Sequence, residues 1–126
     1  MTLYLKKVLI VEDDPMFAKA LKRKFGDAGI TAEVVYTGED AVRLLGTPRN
    51  NIKLILSDTQ LDGGKNGHEF VPQYKSHNIE IMGMSGIHYY AREWSRAGVP
   101  DFFNKTDLTD AHAWPEFVRQ CKNILK

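Results

Sequence analysis

One cysteine, Cys121, stands in a chain of 126 residues, so no disulfide can form within it. That scarcity fits a reducing compartment. Neither sign of charge dominates: 17 Lys and Arg against 16 Asp and Glu leave a formal net charge of +1. No long basic run exists, which argues against direct nucleic-acid binding. No apolar stretch is long enough to span a bilayer. The N-terminal one is interrupted by Lys6, Lys7 and Glu12, which is also wrong for a signal peptide. His68, His77, His88 and His112 show no metal-ligand spacing and no partner cysteines, which argues against zinc. No repeat, linker or low-complexity segment divides the chain. The expectation is one cytoplasmic domain over residues 1–126, with no membrane contact and enough interior for a core.

What is present is an alternation of short apolar runs and amphipathic stretches. Val8 to Val11 is continuously apolar, as a strand buried on both faces should be. Asp14 caps the helix that follows, and Pro15 suits its first position. Phe17, Leu21, Phe25 and Ala28 give that helix one apolar stripe, which Gly29 ends. Further strands are read at 32–36, 53–57, 79–84 and 102–103. A short helix is read over Ala41, Val42, Leu44 and Leu45, introduced by Thr37 and Asp40 as a weak capping box. The segment 62–67 is the strongest loop signal. A helix with Phe70, Val71 and Tyr74 inward follows it, and another carries Tyr90, Ala91, Trp94 and Ala97. Tyr89, Tyr90 and Trp94 divide evenly between packing and a docking surface. The last helix has the clearest stripe, with Trp114, Phe117, Val118, Cys121, Ile124 and Leu125. Five strand-then-helix units predict an α/β fold: a doubly wound parallel sheet with right-handed crossovers and helices on both faces.

Four charges fall where strands end. Asp13 and Asp14 close the first run, Asp58 the third, and Lys105 follows the fifth. The carboxyl ends of parallel strands open onto one crevice, so these groups meet there. Three acids and one base leave a local charge of about −2, a poor anion site and a good divalent-cation site. Oxygen ligands with room for water suit Mg²⁺. Taken alone, Asp13 and Asp14 would be a helix cap and its neighbour. The match with Asp58 and Lys105 favours an ion site.

With these residues placed, the sequence resembles the receiver domains of two-component response regulators, above all single-domain members of the chemotaxis-regulator kind. The resemblance rests on Val-Leu-Ile-Val-Glu-Asp-Asp (8–14), Leu-Ile-Leu-Ser-Asp-Thr-Gln-Leu (54–61), Gly67, Met84-Ser85-Gly86 and Phe102-Phe103-Asn104-Lys105. It implies a flavodoxin-like, five-stranded sheet in the order 2-1-3-4-5. It implies a switch in which Asp58 accepts a phosphoryl group from a histidine kinase or histidine phosphotransfer protein. By the same resemblance, Mg²⁺ would be held by Asp14 directly, Asp13 mainly through water, Asp58, and the backbone carbonyl of Gln60. Lys105 would contact the phosphoryl oxygens, and Ser85 and Phe102 would take the two switch positions. The expected output surface is the face of the fourth helix, fifth strand and fifth helix. It would serve a downstream protein, with a phosphorylation-dependent dimer as one option. Such a protein is no enzyme beyond accepting and losing its own phosphoryl group. Ile87 would shield that group from water and lengthen its life, with Gln60 unable to activate the water. The family carries proline after its lysine, across a cis bond; Thr106 stands here. A cis bond before a non-proline residue costs ~3 kcal/mol, so a trans bond is expected.

Three rivals remain. A degenerate receiver would use the same fold only to bind proteins. A haloacid-dehalogenase-type phosphatase would place its nucleophile after the first strand, with a second Asp two residues on, where Pro15 stands. A flavodoxin would need a phosphate loop where Glu12-Asp13-Asp14-Pro15 would repel phosphate.

Overall fold

The computed structural model describes residues 5–61, 66–76, 78–86 and 90–126. Residues 62–65 of the loop read at 62–67 lie outside the described residues, as do His77, Ile87, His88 and Tyr89. Five strands form one sheet: β1 (Lys7–Val11), β2 (Ala32–Val35), β3 (Ile52–Asp58), β4 (Glu80–Ser85) and β5 (Phe102–Asn104). Their order is β2-β1-β3-β4-β5 and every pairing is parallel. The helices among the described residues are α1 (Pro15–Asp27), α2 (Gly38–Leu45), α3 (Gly67–Phe70), α4 (Tyr90–Arg96), α5 (Lys105–Thr109) and α6 (Trp114–Ile124). None is long and apolar enough to cross a membrane.

The continuous apolar runs are explained by two buried faces. Val8, Ile10, Leu54, Leu56, Met82 and Met84 point to one layer, where Leu21 and Phe25 of α1 and Phe117 and Cys121 of α6 cover them. Leu9, Val11, Ile55 and Ile81 point to the other, against Ala41 of α2, Phe70 of α3 and Trp94 of α4. Alternate residues of each strand therefore serve separate cores. Phe102 and Phe103 obey the same rule. Phe102 packs in the α4 layer, while Phe103 meets the Phe117 ring edge-on at 4.9 Å.

Two elements differ from the reading of the sequence. The helix after the 62–67 loop is one α-turn, and Val71–Tyr74 continues it as a 3₁₀ turn. Pro72 has no N–H to donate and crowds the carbonyl four residues back, which ends the α-geometry. Helix α5 is additional, so the fifth helix of the sequence reading is α6. The Asn104 side chain caps α5 by accepting from the Thr106 N–H at 2.9 Å, a local signal the reading passed over. No described peptide bond is cis, so Lys105–Thr106 is trans.

Candidate functional site

The sheet register builds the site. Val11 pairs with Ser57, so the residues just beyond them, Glu12 and Asp58, emerge side by side at the carboxyl edge. Both continue the alternation toward the α1 layer. Asp13 follows at the turn into α1. Glu12, Asp13 and Asp58 each offer a carboxylate oxygen within 4.8 Å of the others. Lys105 is the first residue of α5, immediately after β5, and its ammonium enters this cluster. Its Nζ lies 2.6 Å from Glu12 Oε1 and 3.2 Å from Asp58 Oδ2. It also lies 4.9 Å from the centre of the Phe17 ring, a cation–π contact from α1. The Thr59 N–H donates to Asp58 Oδ1 at 2.9 Å, and the Asp14 N–H donates to Glu12 Oε2 at 3.0 Å.

Asp14 does not join the cluster. Its side chain is exposed, and its Oδ1 accepts from the Met16 and Phe17 N–H groups at 3.0 and 3.5 Å, capping α1. The structure thus places Asp14 at the helix end and outside the acid cluster, away from the direct metal-ligand position expected of it. The cap that Pro15 positions holds this carboxylate on the helix end, and Glu12 takes its place in the acid cluster. The missed signal was counting from the strand end: Glu12 follows Val11 as Asp58 follows Ser57.

Electrostatics follow from burial. Glu12 is fully buried. Desolvation is the main force on its carboxyl, followed by opposing help from Lys105 and the Asp14 N–H and by repulsion from Asp58. The balance pushes it up to about 7. Burial likewise raises Asp58 above the usual carboxylate range, against the pull of Lys105. For Lys105, burial would lower the ammonium. The bond to Glu12 and the charge of Asp58 outweigh it, and the lysine is raised.

An open cleft of about 580 Å³ lies over the cluster. Asp13, Asp58, Gln60, Ser85, Gly86 and Lys105 line it. Ser85 ends β4 opposite Asn104 of β5. Gln60 is exposed at the cleft. Gly67 closes one wall, its N–H donating to the Thr59 carbonyl at 2.7 Å. A Cβ there would lie 2.0 Å from the Asp58 carbonyl oxygen, so only glycine fits. The donors are oxygens, the charge is negative and the cleft has room for water, all of which fit a hard divalent cation.

The structure thus brings together Asp13, Asp58, Gln60, Ser85 and Lys105, adds Glu12, and leaves Asp14 outside. Phe102 lies beneath, in the α4 layer.

The family model described as the response regulator receiver domain matches residues 8–112. Among solved structures, the receiver domain of Francisella response regulator 1452 is similar at 23% identity. That match covers 95% of this chain and 96% of that one, with a TM-score of 0.74. Response regulator protein TrrA from Thermotoga maritima, solved in complex with Mg(2+)-BeF, is 19% identical. Coverage is 96% and 100%, and the TM-score is 0.75. A response regulator protein from Burkholderia pseudomallei, solved with a phosphorylated aspartic acid, calcium ion and citrate, is 18% identical. Coverage is 96% and 66%, and the TM-score is 0.70. At these identities the solved structures establish the shared fold. No curated protein matches the chain at a significant level.

Proposed function

The chain belongs to the response regulator receiver family, and from that premise we propose that it is a switch set by phosphorylation of Asp58. The observation that carries the proposal is the reach of Lys105 into the acid cluster, bridging Glu12 and Asp58, at the cleft that Ser85 also lines. An Asp58 carboxylate oxygen attacks the phosphorus of a phosphohistidine on a kinase or phosphotransfer protein. A P–O bond forms, the P–N bond breaks, and the imidazole leaves and takes a proton. The chain's own part is positioning and charge. Thr59 N–H holds Asp58 Oδ1 and Lys105 Nζ lies 3.2 Å from Oδ2, so the carboxylate is fixed in orientation at the cleft. Lys105 offers a point charge to the phosphoryl oxygens, and Ser85 offers a hydroxyl. Mg²⁺ would be held by Asp13, Asp58 and the Gln60 carbonyl, and would supply positive charge for the phosphoryl oxygens. Glu12, bound to Lys105, keeps that ammonium in place.

On this reading the chain accepts a group and loses it again, and does not turn over a separate substrate. Its setting is the cytoplasm, and its output is a changed face of α4, β5 and α6 offered to a downstream protein or a second copy. Ser85 moving toward the phosphoryl group would let Phe102 turn inward. A degenerate, binding-only receiver would have no reason to assemble the acids, the hydroxyl and the lysine. The test is incubation with Mg²⁺ and acetyl phosphate followed by mass spectrometry. One phosphoryl addition on Asp58, absent without divalent metal and absent in Asp58→Asn, is the expected result. No addition from small donors or kinases, or addition elsewhere, would sink the reading.

A further inference from the structure

Thr59, the residue after the proposed phosphoacceptor, is fully buried and touches three elements at once. Its backbone N–H is shared between Asp58 Oδ1 at 2.9 Å and the Met84 carbonyl at 3.0 Å. Its hydroxyl donates to the same Met84 carbonyl at 2.9 Å. That hydroxyl in turn accepts from the indole N–H of Trp94 at 2.7 Å. Met84 is the residue before Ser85 at the end of β4. Trp94 is the fully buried residue of α4, and its ring lies on Gly83 of β4, where a Cβ would come within 2.5 Å of the ring. A continuous chain of bonds therefore runs from the Asp58 carboxylate, through Thr59, to helix α4.

We propose that Thr59 and Trp94 are positioning residues that couple the state of the Asp58 carboxylate to α4, separately from Ser85 and Phe102. The proposal rests on the reading of Asp58 as phosphoacceptor. A carboxylate oxygen is a strong acceptor because it is charged. Once Asp58 is an acyl phosphate, its own oxygens no longer share a full negative charge, and the hold of Oδ1 on the Thr59 N–H weakens. That N–H then moves toward its other acceptor, Met84. The Thr59 hydroxyl, bonded to the same carbonyl, is displaced with it. The indole N–H of Trp94 must follow, because a buried donor left unmet is expensive. Trp94 moves α4, since the ring has no other polar tether among the described residues.

The test uses the ¹⁵N-labelled chain with Mg²⁺ and beryllofluoride, in a Trp114→Phe background so that one indole N–H signal remains. In the parent, that signal and the amides of residues 91–96 are expected to shift. Thr59→Val keeps the shape and the backbone N–H but drops the hydroxyl, and Trp94→Phe drops the indole N–H. Both are expected to lose most of the α4 response while the amides of Asp58 and Gln60 still shift. Thr59→Ser is expected to restore the α4 response. Should Trp94→Phe lose its dispersed spectrum, Thr59→Val decides, because it leaves the indole seated on Gly83. An α4 response as large in Thr59→Val as in the parent overturns the coupling alone. Absence of phosphoryl addition to the parent, by mass, overturns the Asp58 reading and the coupling with it.

Discussion

Single carboxylates at the turn after β1 carry opposite effects on stability. Asp14 caps α1, so Asp14→Ala should cost about 1 kcal/mol in a urea melt. Its effect on Mg²⁺ affinity should be small beside that of Asp13→Asn. A loss of metal binding in Asp14→Ala as large as in Asp13→Asn would restore Asp14 to the site. Glu12 acts in the other direction. Its folded carboxyl lies near 7 against an unfolded value of 4.5. The folded state therefore holds the proton more tightly, and the group favours folding most below about pH 4.5. That contribution is lost as pH rises to about 7 and stays lost above it. A rise of this size corresponds to something on the order of 3 kcal/mol. In EDTA, Glu12→Gln should raise the melting temperature by several degrees at pH 8 and by little at pH 4.5. An equal change at both pH values would show that the charge of Glu12 is not what limits the metal-free fold.

At the scale of elements, the parallel sheet was legible because each inner strand is apolar on both faces, as Val8 to Val11 shows. The order 2-1-3-4-5 came from the resemblance, since no residue by itself announces which strand lies beside which. Asp58, Asp13 and Lys105 were legible because strand ends were. Glu12 was not, because a charged residue directly after an apolar run reads as the end of the pattern, and its meaning depends on the register with β3. Helix α5 is not legible because five residues carry too little periodicity to mark a helix, and α3 is shorter than the apolar pattern predicts because Pro72 ends its α-geometry. Gly67 was seen only as part of a loop and a motif, although the wall it forms is steric. Gly67→Ala places a Cβ 2.0 Å from the Asp58 carbonyl oxygen. Overpacking of this kind costs roughly 1–3 kcal/mol. Beryllofluoride affinity should fall as well, because the backbone that must yield belongs to Asp58. A melt and a titration indistinguishable from the parent would mean that the loop shifts freely and the wall is not rigid.

Across the whole molecule, the site sits at the carboxyl edge of a sheet whose two cores are covered by separate sets of helices. Cys121 reports on the integrity of one of those layers. It is fully buried in α6 against the α1 side of the sheet. Burial pushes its thiol up to about 12. At pH 8 the folded thiol is thus both inaccessible and protonated, whereas the thiolate is the reactive form. Labelling by Ellman's reagent should then proceed only through opening of the layer. If that opening is global, a ligand bound only by the folded state must slow it, wherever the ligand sits. Saturation at 100 times the dissociation constant stabilises by about 2.7 kcal/mol, which is roughly a hundredfold. Mg²⁺ with beryllofluoride should therefore slow labelling of Cys121 by about that factor. Urea should accelerate labelling with the same dependence as global unfolding. Labelling that is fast in the native protein, or indifferent to the ligand, would show that the end of α6 opens locally. In that case the α6 part of the output face would be independent of the cleft.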